Sequence, residues 1–335
     1  MSNKSEAIIF SGTSNPSFSN NVAKHLNTTI ANANINKFAN GEINIIINQS
    51  VRNKHCFIIQ TTSSSKNNSP NDNIMELFVM LDALKRGSAK SVTIVMPYYA
   101  YERQDRKDYS RAPISAAVIS KCLESLNADR IIVYDLHAGQ IQGFFPNNIP
   151  LDNLYVEPYF IKYINNYILN IHSNKDLVIV SPDEGAVKNA VRISSKLGCS
   201  CATIYKERKI ANKVSKMTLM GNVQDKIAII IDDIIDTGGT AIKAAETLHN
   251  CGSKKIFLMA THGLLSNNAA ERLNNSLFDK VIITNTTPFN YDNKFEKVEI
   301  LDVSWLCAEA IKRQQTGESL TELYDQNNTY NLEFE

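Results

Sequence analysis

Short β-branched apolar runs alternate along this chain with stretches of helical periodicity. In the first half, Ala7–Phe10, Ile43–Asn48, Cys56–Gln60, Val92–Met96 and Arg130–Asp135 read as strands. Pro16–Leu26, Ile74–Arg86 and Ile114–Leu126 read as helices, the second stopped by Gly87. Ser63–Asn73 reads as a polar loop, and Tyr98–Ala112 as a long loop crowded with charge. In the second half, Glu157–Leu169 is helical, Leu177–Val180 is a strand, and the turn Ser181–Gly185 leads into a helix ending at Leu197. Strands follow at Cys201–Tyr205, Ile227–Asp233, Ile256–Ala260 and Lys280–Thr284, with helices at Ala241–Leu248 and Val303–Arg313. Strands alternating with helices predict an α/β fold whose mainly parallel sheets are flanked by helices. Ile131–Asp135, followed by Leu136-His137, echoes Ile229–Asp233, so two similar halves divided near residue 150 are expected.

Bulk properties narrow the picture. At 335 residues the chain has room for two domains, and 43% hydrophobic residues are ordinary for a globular protein. A net charge of +1 gives no general attraction to nucleic acid or membrane, so neither is expected as a partner. The start Met1 to Glu6 has no signal-peptide apolar core, and no apolar run is long enough to span a bilayer. Cys56, Cys122, Cys199, Cys201, Cys251 and Cys307 show neither zinc spacing nor a disulfide framework, which fits a reducing cytoplasm.

The chemistry concentrates between Ile227 and Thr240. A buried strand pattern ends in Asp232 and Asp233, and Asp236-Thr237-Gly238-Gly239-Thr240 then opens a helix. Glycines let the backbone approach a ligand, and N–H groups at a helix start with two threonine hydroxyls can ring a phosphate. Two acids beside such a cradle suit sugar hydroxyls, or a metal. The stretch resembles the phosphoribosyl-diphosphate fingerprint shared by phosphoribosyltransferases and ribose-phosphate pyrophosphokinases. No Gly-Lys-Ser/Thr follows, so it is not a Walker loop.

Other stretches resemble the ribose-phosphate pyrophosphokinase family in order along the chain. They are Asn71–Leu77, Tyr101–Asp108 running into Ser110–Ser115, Asp135-Leu136-His137 with Gln140 to Pro146, Lys206-Glu207-Arg208-Lys209, Thr261-His262-Gly263 and Gly317-Glu318-Ser319. The resemblance covers about Phe10 to Leu323. It implies two phosphoribosyltransferase-like domains. One is residues 1–150, on the ATP side with a Mg²⁺ ligand, joined by a C-terminal segment from about 310 to 335. The other is residues 151–309, with the ribose 5-phosphate site and the catalytic loop.

The resemblance also implies an activity: transfer of the pyrophosphoryl group of Mg·ATP to the 1-hydroxyl of ribose 5-phosphate, giving 5-phosphoribosyl 1-diphosphate and AMP. Phe38, Asn40, Gly41, Glu42, Arg103 and Gln104 would bind ATP, and His137 and Asp183 would hold Mg²⁺. Asp236 to Thr240 would hold the 5-phosphate, Asp232 and Asp233 the ribose hydroxyls, and Arg208 would reach the sugar phosphate as well. Lys206 and Arg208 would close over the transferring group as the catalytic pair. Phosphate activation and ADP inhibition are expected at Ser50, Arg52, Arg106 and Ser319, in a homohexamer built from dimers. Ala186 stands where the family usually has a second Gly, which adds a methyl near the metal turn, and Gly238 occupies a position that varies among relatives. A phosphoribosyltransferase would explain only the Ile229–Thr240 stretch. A non-catalytic regulatory relative would carry a disrupted catalytic loop, whereas Lys206–Lys209 runs on without an insertion.

Overall fold

The computed structural model describes residues 7–210, 213–292 and 295–324, with the side chains of 206–216 outside that description. Within it the chain forms two compact α/β units: residues 7–155, 285–290 and 302–324, and residues 156–284 and 291–301.

The first unit contains β1 (Ile8–Ser11), α1 (Pro16–His25), β2 (Ala33–Lys37), β3 (Ile43–Ile47), β4 (His55–Ile59), α2 (Pro70–Arg86), β5 (Ser91–Met96), α3 (Ser115–Ser125), β6 (Arg130–Tyr134) and β7 (Leu151–Leu154). Five strands form a parallel sheet in the order β1-β4-β5-β6-β7. The antiparallel pair β2–β3 stands apart as a hairpin. Helix α2 begins at Pro70, so Asn71–Asn73 are helical and not the end of a polar loop. Ser69 and Asp72 form a reciprocal capping box with Pro70 in the first turn, which satisfies the N–H groups at that helix end. Gly87 does follow the helix, but with φ −70°. Its role is close approach, because a Cβ there would stand 2.8 Å from Val51 Cγ2.

In the second unit, α4 (Glu157–Tyr163) continues into a π-helical turn, Ile164–Leu169. Then come β8 (Leu177–Ser181), α5 (Val187–Leu197), β9 (Ser200–Ile210), β10 (Lys213–Met220), β11 (Ile227–Ile235), α6 (Gly239–Asn250), β12 (Lys255–Gly263), α7 (Ala269–Asn274), β13 (Lys280–Thr284) and β14 (Val298–Leu301). The sheet order is β10-β9-β8-β11-β12-β13-β14, parallel except for the β9–β10 hairpin. The backbone of Lys206–Lys209, expected as a catalytic loop, is therefore the continuation of β9. Helix α8 (Ser304–Thr316) belongs to the first unit and lies against α1.

Both sheets are apolar in their centres. Ile58, Ile94, Ile132, Ile179, Ile230 and Leu258 are fully buried, as strands covered on both faces must be. Buried polar groups collect at the carboxyl edge of the first sheet. Glu76 accepts from the Thr13 N–H at 2.6 Å, the Thr13 hydroxyl at 2.6 Å and the Gln60 amide at 2.9 Å. Gln60 in turn accepts from the Ser14 hydroxyl at 2.7 Å and donates to the Asn73 carbonyl at 3.1 Å. Gly12 leaves room for this network, because a Cβ on it would sit 2.0 Å from Gln60 Oε1 and 2.8 Å from Glu76 Oε1. Gly12→Ala is expected to lower stability by about 1–3 kcal/mol, the usual scale for overpacking combined with a displaced buried hydrogen bond. The check is a lower urea midpoint for the variant than for the unaltered protein.

Candidate active site

Strand order reverses between β8 and β11: β9 and β10 follow β8 outward on one side, while β12, β13 and β14 follow β11 outward on the other. In open α/β sheets a crevice opens outside the carboxyl ends of strands at such a point. The register shows how it opens here. β8 pairs with β11 only as far as Val180↔Ile230, whereas β11 stays paired with β12 through Asp232↔Ala260 to Ile235↔Gly263. The strand thus runs past the two acids to Ile235 instead of ending at them. From Ile231 onward one of its edges is released from β8.

Asp232 and Asp233 lie on that released segment, each accepting the next residue's N–H, from Asp233 at 3.0 Å and from Ile234 at 2.9 Å. Asp183 comes from the turn after β8, where its Oδ1 accepts the N–H groups of Gly185 at 3.1 Å and Ala186 at 3.3 Å. Ala186 has φ −85° and ψ −2°, an ordinary conformation for an L-residue, so its methyl imposes no backbone strain on this turn. The Asp232 carboxyl keeps a little solvent contact but is otherwise surrounded by protein. Its pKa is raised well above the usual carboxylate range, first by burial, then by the charge of Asp233, and further by that of Asp183. The fold therefore gathers three carboxylates around one crevice.

Beyond Ile235 the chain turns through Asp236 and Thr237 to Gly238, which takes the left-handed conformation, φ 72° and ψ −5°, as N-cap of α6. Glycine is suited to that backbone, and a Cβ would also stand 3.3 Å from Leu273 Cγ. Gly239 is different, since a Cβ there would find its nearest neighbour, Arg272 Nη2, at 3.8 Å. Thr237 and Thr240 are exposed, and the N–H groups of a first helical turn have no partner inside the helix. This part of the chain is open, donor-rich and positive in dipole. The Thr237 carbonyl accepts from Arg272 Nη1 at 3.0 Å.

The first unit carries the residues expected to meet ATP. Phe38, Asn40, Gly41 and Glu42 form the β2–β3 tip. The Phe38 N–H donates to the Glu42 carbonyl at 2.8 Å, and the Glu42 N–H donates to Asn40 Oδ1 at 3.2 Å. Gly41 has φ 92°, and the Phe38 ring is 55% exposed at this tip. Arg103 and Gln104 follow β5, with Gln104 Oε1 accepting from the Ser115 hydroxyl at 2.5 Å. His137 follows β6 on an exposed bend, and its N–H donates to Glu102 Oε2 at 2.9 Å. Glu102 is fully buried, and sequence reasoning gave it no role. The signal that could have found it is a carboxylate within the quoted Tyr101–Asp108 motif. Arg272 was missed as well, and no local motif marks it.

The remaining expected residues are dispersed. Ser50 and Arg52 lie between β3 and β4, Arg106 pairs with Asp108 at 3.2 Å, and the Ser319 carbonyl accepts from Arg313 at 2.6 Å after α8. The backbone of Lys206 and Arg208 belongs to β9, paired with Met217 and Val214, while their side chains lie outside the described residues. Among the described residues, no group of three His, Cys, Asp or Glu side chains could by itself hold a metal. No helix among them is long and apolar enough to cross a membrane.

Comparison with known proteins yields consistent matches. The family model for the N-terminal domain of ribose phosphate pyrophosphokinase matches residues 7–126, and that for the phosphoribosyl synthetase-associated domain matches residues 206–325. The chain is 44% identical over 317 residues to ribose-phosphate pyrophosphokinase A of Dictyostelium discoideum, covering 94% of this chain and 97% of that protein. It is 44% identical over 316 residues to the ribose-phosphate pyrophosphokinase of Aquifex aeolicus (strain VF5), covering 94% and 98%. The crystal structure of phosphoribosylpyrophosphate synthetase from Mycobacterium smegmatis superposes with a TM-score of 0.86 at 37% identity, covering 93% of this chain and 99% of that one.

The raised Asp232 pKa carries a stability consequence. The folded state holds this proton more tightly than the unfolded chain, so the group costs stability as pH rises from the ordinary Asp range towards the raised value. Asp232→Asn removes that cost. At pH 7 it is expected to raise stability, with the gain shrinking as pH falls towards 4. Thermal melts of the two proteins across that pH range check both the sign and the trend.

Proposed function

The chain belongs to the ribose-phosphate pyrophosphokinase family, and on that premise we propose that it transfers the β,γ-pyrophosphoryl group of ATP to the 1-hydroxyl of ribose 5-phosphate. The observation that carries the reading to particular residues is the crevice of the second unit. There Asp183, Asp232, Asp233 and the Asp236–Thr240 turn meet where strand order reverses. The turn takes the 5-phosphate on its N–H groups and threonine hydroxyls. Asp232 and Asp233 accept hydrogen bonds from the ribose hydroxyls, which fixes the sugar against rotation and presents its 1-hydroxyl.

The 1-hydroxyl oxygen attacks the β-phosphorus of ATP as the bond from that phosphorus to the α,β-bridging oxygen breaks. The oxygen's proton passes to solvent water, and AMP leaves with the bridging oxygen and its negative charge. Phe38, Asn40, Gly41, Glu42, Arg103 and Gln104 bind ATP in this reading. Phe38 supplies an exposed ring for the base, and Arg103 a fixed positive charge for phosphate oxygens. Lys206 and Arg208 neutralise charge on the transferring group and the departing AMP, and Arg208 also contacts the sugar phosphate. His137 and Asp183 would hold Mg²⁺, which would supply further neutralisation of the ATP phosphates. The donor type suits it, because Mg²⁺ takes one or two carboxylates such as Asp183 while keeping waters and phosphate oxygens.

The same reading extends to regulation and assembly. Phosphate activates and ADP inhibits at a site including Ser50, Arg52, Arg106 and Ser319, and the protein works as a homohexamer built from dimers in the cytoplasm. Neither nucleic acid nor membrane is a partner at a net charge of +1.

Incubation with Mg·ATP should release AMP only when ribose 5-phosphate is present. AMP release that required a nucleobase, or no release at all, would refute the assignment. Lys206→Ala and Arg208→Ala should each lower kcat by roughly 10²–10³-fold with small changes in KM, as for other preorganised donors to developing charge. Lys209→Ala should be milder. Near-unaltered kcat in all three variants would remove the catalytic assignment.

A further inference from the structure

The crevice is braced from outside by a residue that no motif marks. Arg272, on the short helix α7, donates from Nη1 to the carbonyl oxygen of Thr237 at 3.0 Å. In a trans peptide the carbonyl and the next N–H point in opposite directions. Holding the Thr237 carbonyl towards Arg272 therefore turns the Gly238 N–H to the opposite side of the loop. Gly238 adopts φ 72° at the same point, and a left-handed residue at such a turn makes successive N–H groups converge.

The neighbouring residue secures the contact. Leu273 is fully buried, and its Cγ lies 3.3 Å from where a Gly238 Cβ would stand, so α7 abuts the loop directly. The guanidinium also runs beside the first turn of α6, with Nη2 3.8 Å from the position of a Gly239 Cβ. A cation on a carbonyl polarises the peptide and strengthens its N–H as a donor. Its charge adds to that of the helix N-terminus.

We propose that Arg272 is a positioning residue for phosphate recognition, setting the Thr237–Gly238 peptide so that the Gly238 N–H donates to the 5-phosphate of the substrate. This rests on the reading of Asp236–Thr240 as the phosphate cradle. Arg272 does not touch the reacting atoms, and its effect falls on sugar-phosphate binding rather than on the chemical step.

The test compares Arg272→Ala, Arg272→Lys and Gly239→Ala in the full-length enzyme under steady-state kinetics. Arg272→Ala should raise KM for ribose 5-phosphate roughly tenfold, the scale of one charge-assisted hydrogen bond. Its kcat should stay within about twofold and KM for ATP should be unchanged, because uniform binding is what is lost. Arg272→Lys keeps a charged donor and should recover most of the affinity. Gly239→Ala places a methyl where the free protein has space, so it should raise the same KM by meeting the phosphate. A purely structural role for Arg272 predicts a lower melting temperature and reduced kcat at unchanged KM, and that result would overturn the proposal. An unchanged KM in Arg272→Ala beside a raised KM in Gly239→Ala would overturn it while leaving the cradle in place. If neither variant moved the KM, the cradle would lie elsewhere and both readings would fall.

Discussion

A parallel strand covered on both faces has no place for a carboxylate until one of its edges is released. β11 obeys this strictly: Ile227 to Ile231 are buried, and Asp232 appears just beyond the last pairing with β8. The site follows from that constraint. The acids sit where the strand has lost one neighbour but keeps the other, which fixes their backbone while opening one edge. The Asp183 turn is brought there because β8 is that lost neighbour, and the cradle because the chain must leave β11 through a turn into α6. Strand order, more than any single contact, decides which loops share the crevice.

The first unit shows what the same local pattern does without the reversal. β6 ends at Tyr134 with Asp135 next along the chain, is flanked by β5 and β7, and its five-stranded sheet runs in chain order from one edge to the other. The segment after it forms a 3-10 turn at Gly139–Phe144 instead of a Gly-rich entry into a long helix. Asp135 has φ 33°, a strained value for a non-glycine residue, and the next two N–H groups are held by Asn153 at 3.2 Å and Glu102 at 2.9 Å. The echo between the two halves is thus an echo of strand and acid. In the first unit it presents a single exposed His137, and in the second it presents a cluster of charge with an anion cradle.

Which features were legible in the sequence follows from the same geometry. Central strands such as β5, β6 and β13 announce themselves because both faces need apolar residues. The strands that escaped notice, β2, β7, β10 and β14, are sheet edges or hairpin strands. Leu151-Asp152-Asn153-Leu154 is half polar because its acid pairs with Arg130 at 2.6 Å and its amide accepts from Leu136. A hydrophobicity pattern cannot register such a strand. The start of α2 was legible in principle, since Ser69, Pro70 and Asp72 are helix-start residues, but a Ser/Asn-rich context reads equally as loop. The core of the candidate site was legible because its chemistry is contiguous: five residues from Asp236 to Thr240 make one cradle. Glu102 and Arg272 were not, because each acts on a backbone group 35 residues away along the chain.

That separation between contiguous and remote residues bears on how the site is held. The cradle's own residues are chosen for what they leave out: no side chain at Gly239, and no Cβ at the left-handed Gly238. Such a segment has little to stabilise itself, and burial together with the charges of the neighbouring acids raises the Asp232 pKa. Rigidity must therefore come from elsewhere in the unit. It comes from Arg272 and Leu273 on α7, and from β12, which stays paired with β11 through Ile235. A site that binds anions through bare backbone depends on neighbours to set that backbone before the ligand arrives. Strain at the acids and support from α7 and β12 are two sides of one requirement: donors and charges fixed in place when ribose 5-phosphate is absent.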